Sequence, residues 1–362
     1  SVFIAVHAAR EAVAKRTSRY AAFLDFRRAY DSVWIEGLLL KLSRMGVKGG
    51  LLRWLAHFLR SRRYRVSDAD VSSGWLFATC GVPQGAVLAC VLFLIWINDL
   101  IHTIRDTGAM ALLAADDLLL LAKSLGLKGV EELASALKRL SAWCRDWRMS
   151  LNTTKSATMI FGTKQSRNLP TYQFWLDGEV IPQVTQYKYL GVLLNSNLDY
   201  GPQNDWKTTQ ARQLAGLVIH RLSCRLRGTR VPIAVARTII QAVYVPTVFY
   251  LCEFWLFDDL VLQRHLDQQM AKILNVVLRL PHRHDVDSLR ADSILAECGV
   301  LSAQMICEQR LLSLSATVSR SPATPAARLL LQESKMVEPI YFTFQRPKHV
   351  GTSAAKIATA WE

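Results

Sequence analysis

"LLAADDLLLL", Leu112–Leu121, sets two adjacent carboxylates, Asp116 and Asp117, between apolar runs. Burying an unpaired carboxylate costs several kcal/mol or forces it to take up a proton. A hairpin resolves the conflict: the apolar runs become core strands, and their turn projects the carboxylates into a cleft. At such a tip a divalent cation can offset the charge. Mg²⁺ prefers hard oxygen ligands, usually one or two carboxylates plus phosphate oxygens. Two such ions clamp the attacking and leaving oxygens of a phosphoryl transfer. A partner carboxylate from a second strand is then expected, and "FLDFRRAYDS" (23–32) supplies it, because Asp25 ends an apolar strand. An isolated Asp-Asp pair is usually a solvated turn or helix cap, and Asp258-Asp259 in "LFDDLVL" reads that way.

The 362 residues are enough for two or three domains with their own cores. Half the chain is apolar, which excludes a disordered tail. A formal net charge of +15 favours an anionic partner, nucleic acid before an anionic membrane. Seven scattered cysteines without a CxxC pair predict a reducing interior and no zinc site. The longest apolar run, Ala86 to Ile97, falls short of the roughly 20 residues that span a bilayer, so no membrane partner is expected.

Hydrophobic spacing predicts an amphipathic helix over 3–17 and a buried strand at "YAAFLDF". Helical spacing runs from Trp34 to Leu59, with breaks at Gly46 and Gly49–Gly50. "GVPQG" (81–85) is a turn opening a buried helix through Ile97. Two short strands flank Ala115-Asp116 within 109–122, a helix runs from Glu131 to Arg148, and 156–161 is a strand. "YKYLGVLL" (187–194) is a strand pair or hairpin edge. A basic helical stretch follows from Asp205 to Leu260, then more helices with a Pro/Ser-rich break near 321–325.

In ordered succession these motifs resemble the reverse transcriptases of non-LTR retrotransposons. "FLDFRRAYDSVW" (23–34), "GVPQGAVLACVLFLIWINDL" (81–100), "AADD" (114–117), "WCRDWRMSLNTTKS" (143–156) and "YKYLGVLL" are similar to successive palm motifs and the primer-grip hairpin, from residue 1 to about 260. Group II intron enzymes share the core motifs, but the Leu-Asn…Lys and Tyr-Leu-Gly stretches lean to the non-LTR group. The implied fold is α+β: a right-hand polymerase palm with an antiparallel sheet and packed helices over 1–200 with a remnant of the fingers, a helical thumb over 201–262, and a helical C-terminal region over 263–362. The implied reaction is RNA-directed DNA synthesis from dNTPs on an RNA template and DNA primer. The implied setting is intracellular: the nucleus during integration, otherwise the cytoplasm.

The resemblance makes Asp25, Asp116 and Asp117 the catalytic and metal-binding carboxylates, expected to converge on two Mg²⁺ ions, with Mn²⁺ as a substitute. It places Tyr30 against the ribose, Gln84 against nucleotide and template, and Lys155 near the pyrophosphate leaving group. Asp31 reads as a structural hydrogen bonder. Tyr189, Leu190 and Gly191 form the primer grip. Arg62 and Arg63 in "FLRSRRYRV", with Arg221, Arg225 and Arg227 downstream, are expected on phosphates. His282 and His284 in "PHRHD" alternate without further ligands and read as a surface loop.

Three departures bear on activity. Ala114 stands where the family has Tyr or Phe, and Ala89-Cys90 where it usually has Gly-Pro. The chain begins shortly before Asp25, so fingers contacts to the triphosphate are expected to be missing and primer extension impaired. The alternatives are a catalytically dead, reverse-transcriptase-like RNA-binding module and, from a third class, a nuclease, which would want His or more carboxylates.

Overall fold

The computed structural model describes residues 2–162, 172–225, 231–257, 259–278 and 288–320. Asp258, the "PHRHD" histidines, the Pro/Ser-rich break and Arg227 therefore lie outside the described residues. The chain forms two compact units, Ser1–Gln203 and Asn204–Glu362.

The first unit is built on a four-stranded antiparallel sheet. Strand β1 (Arg19–Leu24) lies between β7 (Asp117–Ala122) and β8 (Ala157–Phe161), and β6 (Ala109–Ala114) closes the order β6-β7-β1-β8. All six β1 residues are buried, which requires cover on both faces. The alternation of side chains divides them. Tyr20, Ala22 and Leu24 join the helical core, as do Leu118, Leu120 and Ala122 of β7. Phe23 turns to the opposite face, where its ring stacks on Tyr187 at 4.3 Å and packs against Tyr189.

The helical layer consists of α2 (Ile35–Arg44), α3 (Gly49–Arg60), α4 (Val87–Ile97), α5 (Asp99–Ile104) and α6 (Leu127–Asp146). Helix α1 (Val2–Ala14) packs against β1 and β8. Its six buried residues, spaced from Val2 to Ala12, bear out the expected amphipathic helix.

Lys41 pins the helical layer from inside. The residue is 6% exposed, and its ammonium donates to the Trp96 carbonyl at 2.6 Å and to Asp99 Oδ1 at 2.7 Å. It also lies over the rings of Trp147, Trp96 and Trp143, at 3.7, 4.4 and 5.0 Å.

The structure corrects the sequence reading in three places. Asn98 keeps right-handed helical dihedrals, so α4, α5 and a 3₁₀ turn (Arg105–Thr107) form one run, Val87–Thr107, long and apolar enough by length and composition to cross a membrane. One face of that run, from Ala89 and Phe93 through Trp96 to Ile104, belongs to the core. A ribbon unforeseen in the sequence occupies residues 63–77, pairing β2 (Arg63–Tyr64) with β5 (Leu76–Phe77) and β3 (Ser67–Asp68) with β4 (Val71–Ser72). A second unforeseen hairpin pairs β9 (Phe174–Leu176) with β10 (Glu179–Ile181). The hairpin of β11 (Gln186–Tyr189) and β12 (Val192–Asn195) forms as expected.

The described part of the second unit is helical. Helix α7 (Gly201–Arg225) leads into it. Shorter helices follow over Ile233–Ile239, Val245–Val248 and Cys252–Trp255, then longer ones over Leu260–Leu278, Ser288–Glu297 and Ala303–Arg320. In its interior, buried Asp267 caps the last of these by accepting the Ala303 N–H at 2.6 Å.

Candidate active site

The carboxylates meet at one end of the central sheet. β1 pairs with β7 so that Leu24 faces Leu118. Continued by one residue, that register sets Asp25 opposite Asp117. Both follow the parity of Phe23 and Leu119, so they share the face away from the helical core. β6 and β7 pair to the end, Ala114 against Asp117, leaving Ala115 and Asp116 as the turn. Ala115 takes φ of +57°, a left-handed conformation costing about 1 kcal/mol for a residue with a Cβ.

The segment Leu151–Ser156 wraps around Asp25. The Asn152 N–H donates to the Asp25 carbonyl at 2.7 Å, and its Nδ2 donates to Asp25 Oδ2 at 3.3 Å. The Asp25 N–H donates to Ser156 Oγ at 3.2 Å, and that hydroxyl donates to the Asn152 carbonyl at 2.8 Å. Ser156 and Tyr187 escaped the sequence reading. Ser156 reaches Asp25 across 131 residues. Tyr187 stacks on Phe23 and donates to the Lys155 carbonyl at 3.2 Å.

The electrostatics at the sheet end are acidic. Partial burial, first, and then the Asp116 and Asp25 carboxylates raise the pKa of Asp117. Burial followed by Asp117 and Asp25 raises that of Tyr187. None of the ion pairs among the described residues engages Asp25, Asp116 or Asp117. Nor, among the described residues, do three His, Cys, Asp or Glu side chains converge as a finished metal centre. The donor chemistry nevertheless fits Mg²⁺: hard carboxylate oxygens that no ion pair among the described residues engages. Because this ion takes only one or two carboxylates beside phosphate oxygens, a closed three-carboxylate cage is not required.

The "GVPQG" turn is docked on the loop after Asp25. The Gly81 N–H donates to the Val33 carbonyl at 2.8 Å, and the Val82 N–H to that of Tyr30 at 2.9 Å. Gly81 has φ of +83°, and a Cβ there would meet the Asp31 backbone at 2.8 Å, so only glycine fits. Gln84 Nε2 donates to Asp31 Oδ1 at 3.0 Å, in keeping with Asp31 as a structural hydrogen bonder. The Tyr30 ring stacks on Phe93 at 4.3 Å. Burial first, then the thiol of Cys90 and the carboxylate of Asp116, raises its hydroxyl pKa. Tyr30 is thus tied to the residue standing where the family usually has proline.

Lys155 is exposed on the Asn152–Ser156 turn. Tyr189 is 2% exposed and packs on Phe23, while Leu190 and Gly191, with φ of +46° and +79°, form the hairpin turn. Arg62 is held inward: its guanidinium donates to the carbonyls of Leu59, Cys80 and Gly81. Arg63 is exposed, as is Arg221 on α7. Arg225 lies on the same helix, but its side chain is outside the described set.

An antiparallel sheet with packed helices, carrying an Asp at the end of its central strand opposite an Asp-Asp hairpin, defines a polymerase palm. A model of the family described as reverse transcriptase (RNA-dependent DNA polymerase) matches residues 3–194, and the chain belongs to that family. Among curated relatives, the RNA-directed DNA polymerase from mobile element jockey of Drosophila funebris is 31% identical over 201 residues, 54% of this chain and 22% of that protein. The probable RNA-directed DNA polymerase from transposon X-element of Drosophila melanogaster is 29% identical over 264 residues, 71% of this chain and 28% of that protein. The chain therefore spans about a quarter of the length of these relatives. Among solved structures, telomerase from Candida albicans in complex with a fragment of telomeric RNA superposes with a TM-score of 0.42 at 11% identity, over 91% of this chain and 53% of that one. The resemblance to non-LTR retrotransposon enzymes read from the motifs is borne out.

Proposed function

We propose that this chain carries the catalytic palm of a mobile-element RNA-directed DNA polymerase, adding dNTPs to the 3′-hydroxyl of a DNA primer on an RNA template. The observation that carries this reading is the β1–β7 register, which aligns Asp25 with the Asp116-Asp117 turn. Residues 1–200 act as palm with a remnant of fingers, 201–262 as thumb, and 263–362 as a helical C-terminal region.

Asp25, Asp116 and Asp117 would hold two divalent ions, Mg²⁺ or Mn²⁺. When bound, these lower the pKa of the primer hydroxyl and neutralise triphosphate charge. Asn152 and Ser156 fix Asp25, so the carboxylate is preorganised. Tyr30, braced by Phe93 and Cys90, bounds the sugar, and Gln84, oriented by Asp31, meets base and template. Lys155 supports the leaving pyrophosphate. The Leu190–Gly191 turn presents backbone to the primer, with buried Tyr189 as its anchor. Arg63, Arg221, Arg225 and Arg227 meet phosphates, whereas Arg62 braces the turn that carries Gln84.

Ala114 is half-buried beside the tip and offers no ring to the primer end. Extension is therefore slow, since misplacement of about 1 Å can cost roughly a hundredfold. The work is intracellular, in the nucleus during integration.

The test is incorporation of labelled dTTP on poly(rA)·oligo(dT) with Mg²⁺ or Mn²⁺. Weak metal-dependent incorporation that gains little from Ala114→Tyr alone and disappears with Asp116→Ala is expected. If neither the chain nor Ala114→Tyr incorporates while both bind the duplex, the RNA-binding-module alternative replaces the catalytic reading.

A further inference from the structure

The ribbon over residues 63–77 is exposed along its length, with nothing of its own to bury. Tyr64 is 51%, Trp75 56%, Leu76 53% and Phe77 68% exposed. Rings this open on an ordered element are uncommon without a partner. The element is ordered: Val66 and Ser73 exchange two hydrogen bonds, at 2.9 Å from the Val66 N–H to Ser73 Oγ and 2.8 Å from the Ser73 N–H to the Val66 carbonyl. At the ribbon's root, the Ala78 N–H donates to the Arg62 carbonyl at 3.0 Å.

Register sorts its side chains. Arg63 pairs with Phe77 and Tyr64 with Leu76, so the next extended pair would be Arg65 with Trp75. By alternation Arg63, Arg65, Trp75 and Phe77 share one face. The contacts agree, since the guanidiniums of Arg65 and Arg63 lie 5.0 and 5.5 Å from the centre of the Trp75 ring. The ribbon's acidic groups, Asp68 and Asp70, sit at the far tip. The root is thus cationic and aromatic, and the tip repels phosphate.

We propose that this face, centred on Trp75 and flanked by Arg63 and Arg65, is a stacking platform for single-stranded nucleic acid: an unpaired base lies on Trp75 and its flanking phosphates meet the two arginines. It deepens the assignment of Arg63 to nucleic acid and rests on that part of the proposed function. Rings interleaved with cations suit unpaired strands, because every base offers a π face. A duplex keeps its bases stacked inside and would use only the charges. The net charge of +15 gives the same sign of complementarity. Arg62 roots the platform on the Gly81 carbonyl, one end of the turn that carries Gln84, so a strand held on the ribbon sits on an element tied to that turn.

The experiment measures fluorescence anisotropy of a labelled 15-nucleotide oligo(rU), and of a blunt RNA–DNA duplex, with the full chain. Trp75→Ala is expected to weaken oligo(rU) binding by about 5- to 150-fold, the range of a lost base–aromatic stack. Duplex binding should change less than twofold. Trp75→Phe should restore most of the single-strand affinity, and Arg63→Gln with Arg65→Gln should weaken both ligands and lower the salt dependence. Thermal melts check that each variant folds. Equal losses on both ligands after Trp75→Ala would reduce the ribbon to a general charge patch, and unchanged oligo(rU) affinity would make it a surface for protein; either result overturns the proposal. The binding is read without dNTP or incorporation, so a failure of the catalytic reading leaves this one standing.

Discussion

Replacing Lys41 separates two opposing forces in the helical layer. Burial lowers the pKa of its ammonium, and the hydrogen bond and charge of Asp99 restore only part of that. The environment therefore disfavours the charged form relative to water, despite two short hydrogen bonds and three tryptophan rings. Lys41→Met keeps the stem's volume and removes the desolvated charge. Its stability should lie within about 1 kcal/mol of the parent, because Asp99, left without Lys41, is 41% exposed and keeps the hydrogen bond from Trp143 Nε1, so no fully buried charge is stranded. Both variants leave the Trp96 carbonyl without its ammonium donor, but Lys41→Ala removes the stem as well, leaving a cavity between α2 and α4. The loss there should be about 3–5 kcal/mol. For a lysine with a lowered folded pKa, the charge penalty is fully present below that folded value. It fades only as pH rises through the folded value toward the ordinary 10.5. The Met variant's relative advantage should shrink over that window. Urea unfolding followed by tryptophan fluorescence reads all of this, since three of the rings line the cage. A Met variant as unstable as the Ala variant would refute the reasoning, placing the cation–π and hydrogen-bond gains above the desolvation cost. The consequence for activity is indirect: α4 carries Phe93, on which Tyr30 stacks.

Three further outcomes are expected. Gly81→Ala must push its new methyl into the Asp31 backbone at φ +83°, so it should lower dTTP incorporation at least tenfold by shifting Tyr30 and Gln84, with duplex affinity nearly unchanged; incorporation at the parent rate would show that the docking of turn on loop is not needed. Asp267, in the second unit, has its pKa raised to about 6, chiefly by burial, with the Ala303 N–H opposing and Asp292 adding. A raised carboxyl costs stability above its folded pKa, and the cost vanishes as pH falls toward the ordinary 3.8. Asp267→Asn keeps an acceptor for the cap and should be more stable than the parent at pH 7 by up to about 3 kcal/mol, the two converging near pH 4; melts that differ equally at both pH values would sink the argument. Arg221→Gln should lower the slope of log affinity against log salt for an RNA–DNA duplex by about 1, measured by anisotropy, and an unchanged slope would remove Arg221 from the phosphate contacts.

Much of the site was legible because its carboxylates interrupt apolar strands. Asp116-Asp117 between two apolar runs could hardly be anything but a hairpin tip, and Asp25 closing "YAAFLDF" marked the partner strand. The "GVPQG" turn was legible from its glycines and proline. What the sequence hid has physical reasons. The ribbon over 63–77 buries none of its paired residues, so it has no hydrophobic alternation to read. Arg62 looked like its neighbours in a basic run, and only the fold turns it toward three carbonyls. Ser156 and Tyr187 act through contacts distant in sequence, which periodicity does not encode. The helix over 87–107 was cut short at Asn98-Asp99 because two polar residues break an apolar pattern. Asp99 is spent on Lys41 and on Trp143 Nε1, so the backbone continues as helix.

The segments around the carboxylates also share a cost. Arg28, Ala115, Arg148 and Leu190 all take positive φ, between 46° and 57°, without being glycine. Arg28 lies in the loop between Asp25 and Tyr30. Ala115 is the tip beside Asp116. Arg148 precedes the segment that wraps Asp25, and its guanidinium lies 4.3 Å from the Trp34 ring centre. Leu190 turns the hairpin whose Tyr187 and Tyr189 pack on Phe23. Each left-handed residue costs about 1 kcal/mol or more, which a chain selected for stability alone would relieve with glycine. Glycine would also free the backbone that these turns must hold. A carboxylate meant for a metal cannot be fixed by a salt bridge without losing the charge the metal needs. Its position has to come from backbone geometry, enforced by buried strands on one side and packed turns on the other. Four of the nine non-glycine residues with positive φ lie in these turns, beside three carboxylates that none of the ion pairs among the described residues engages.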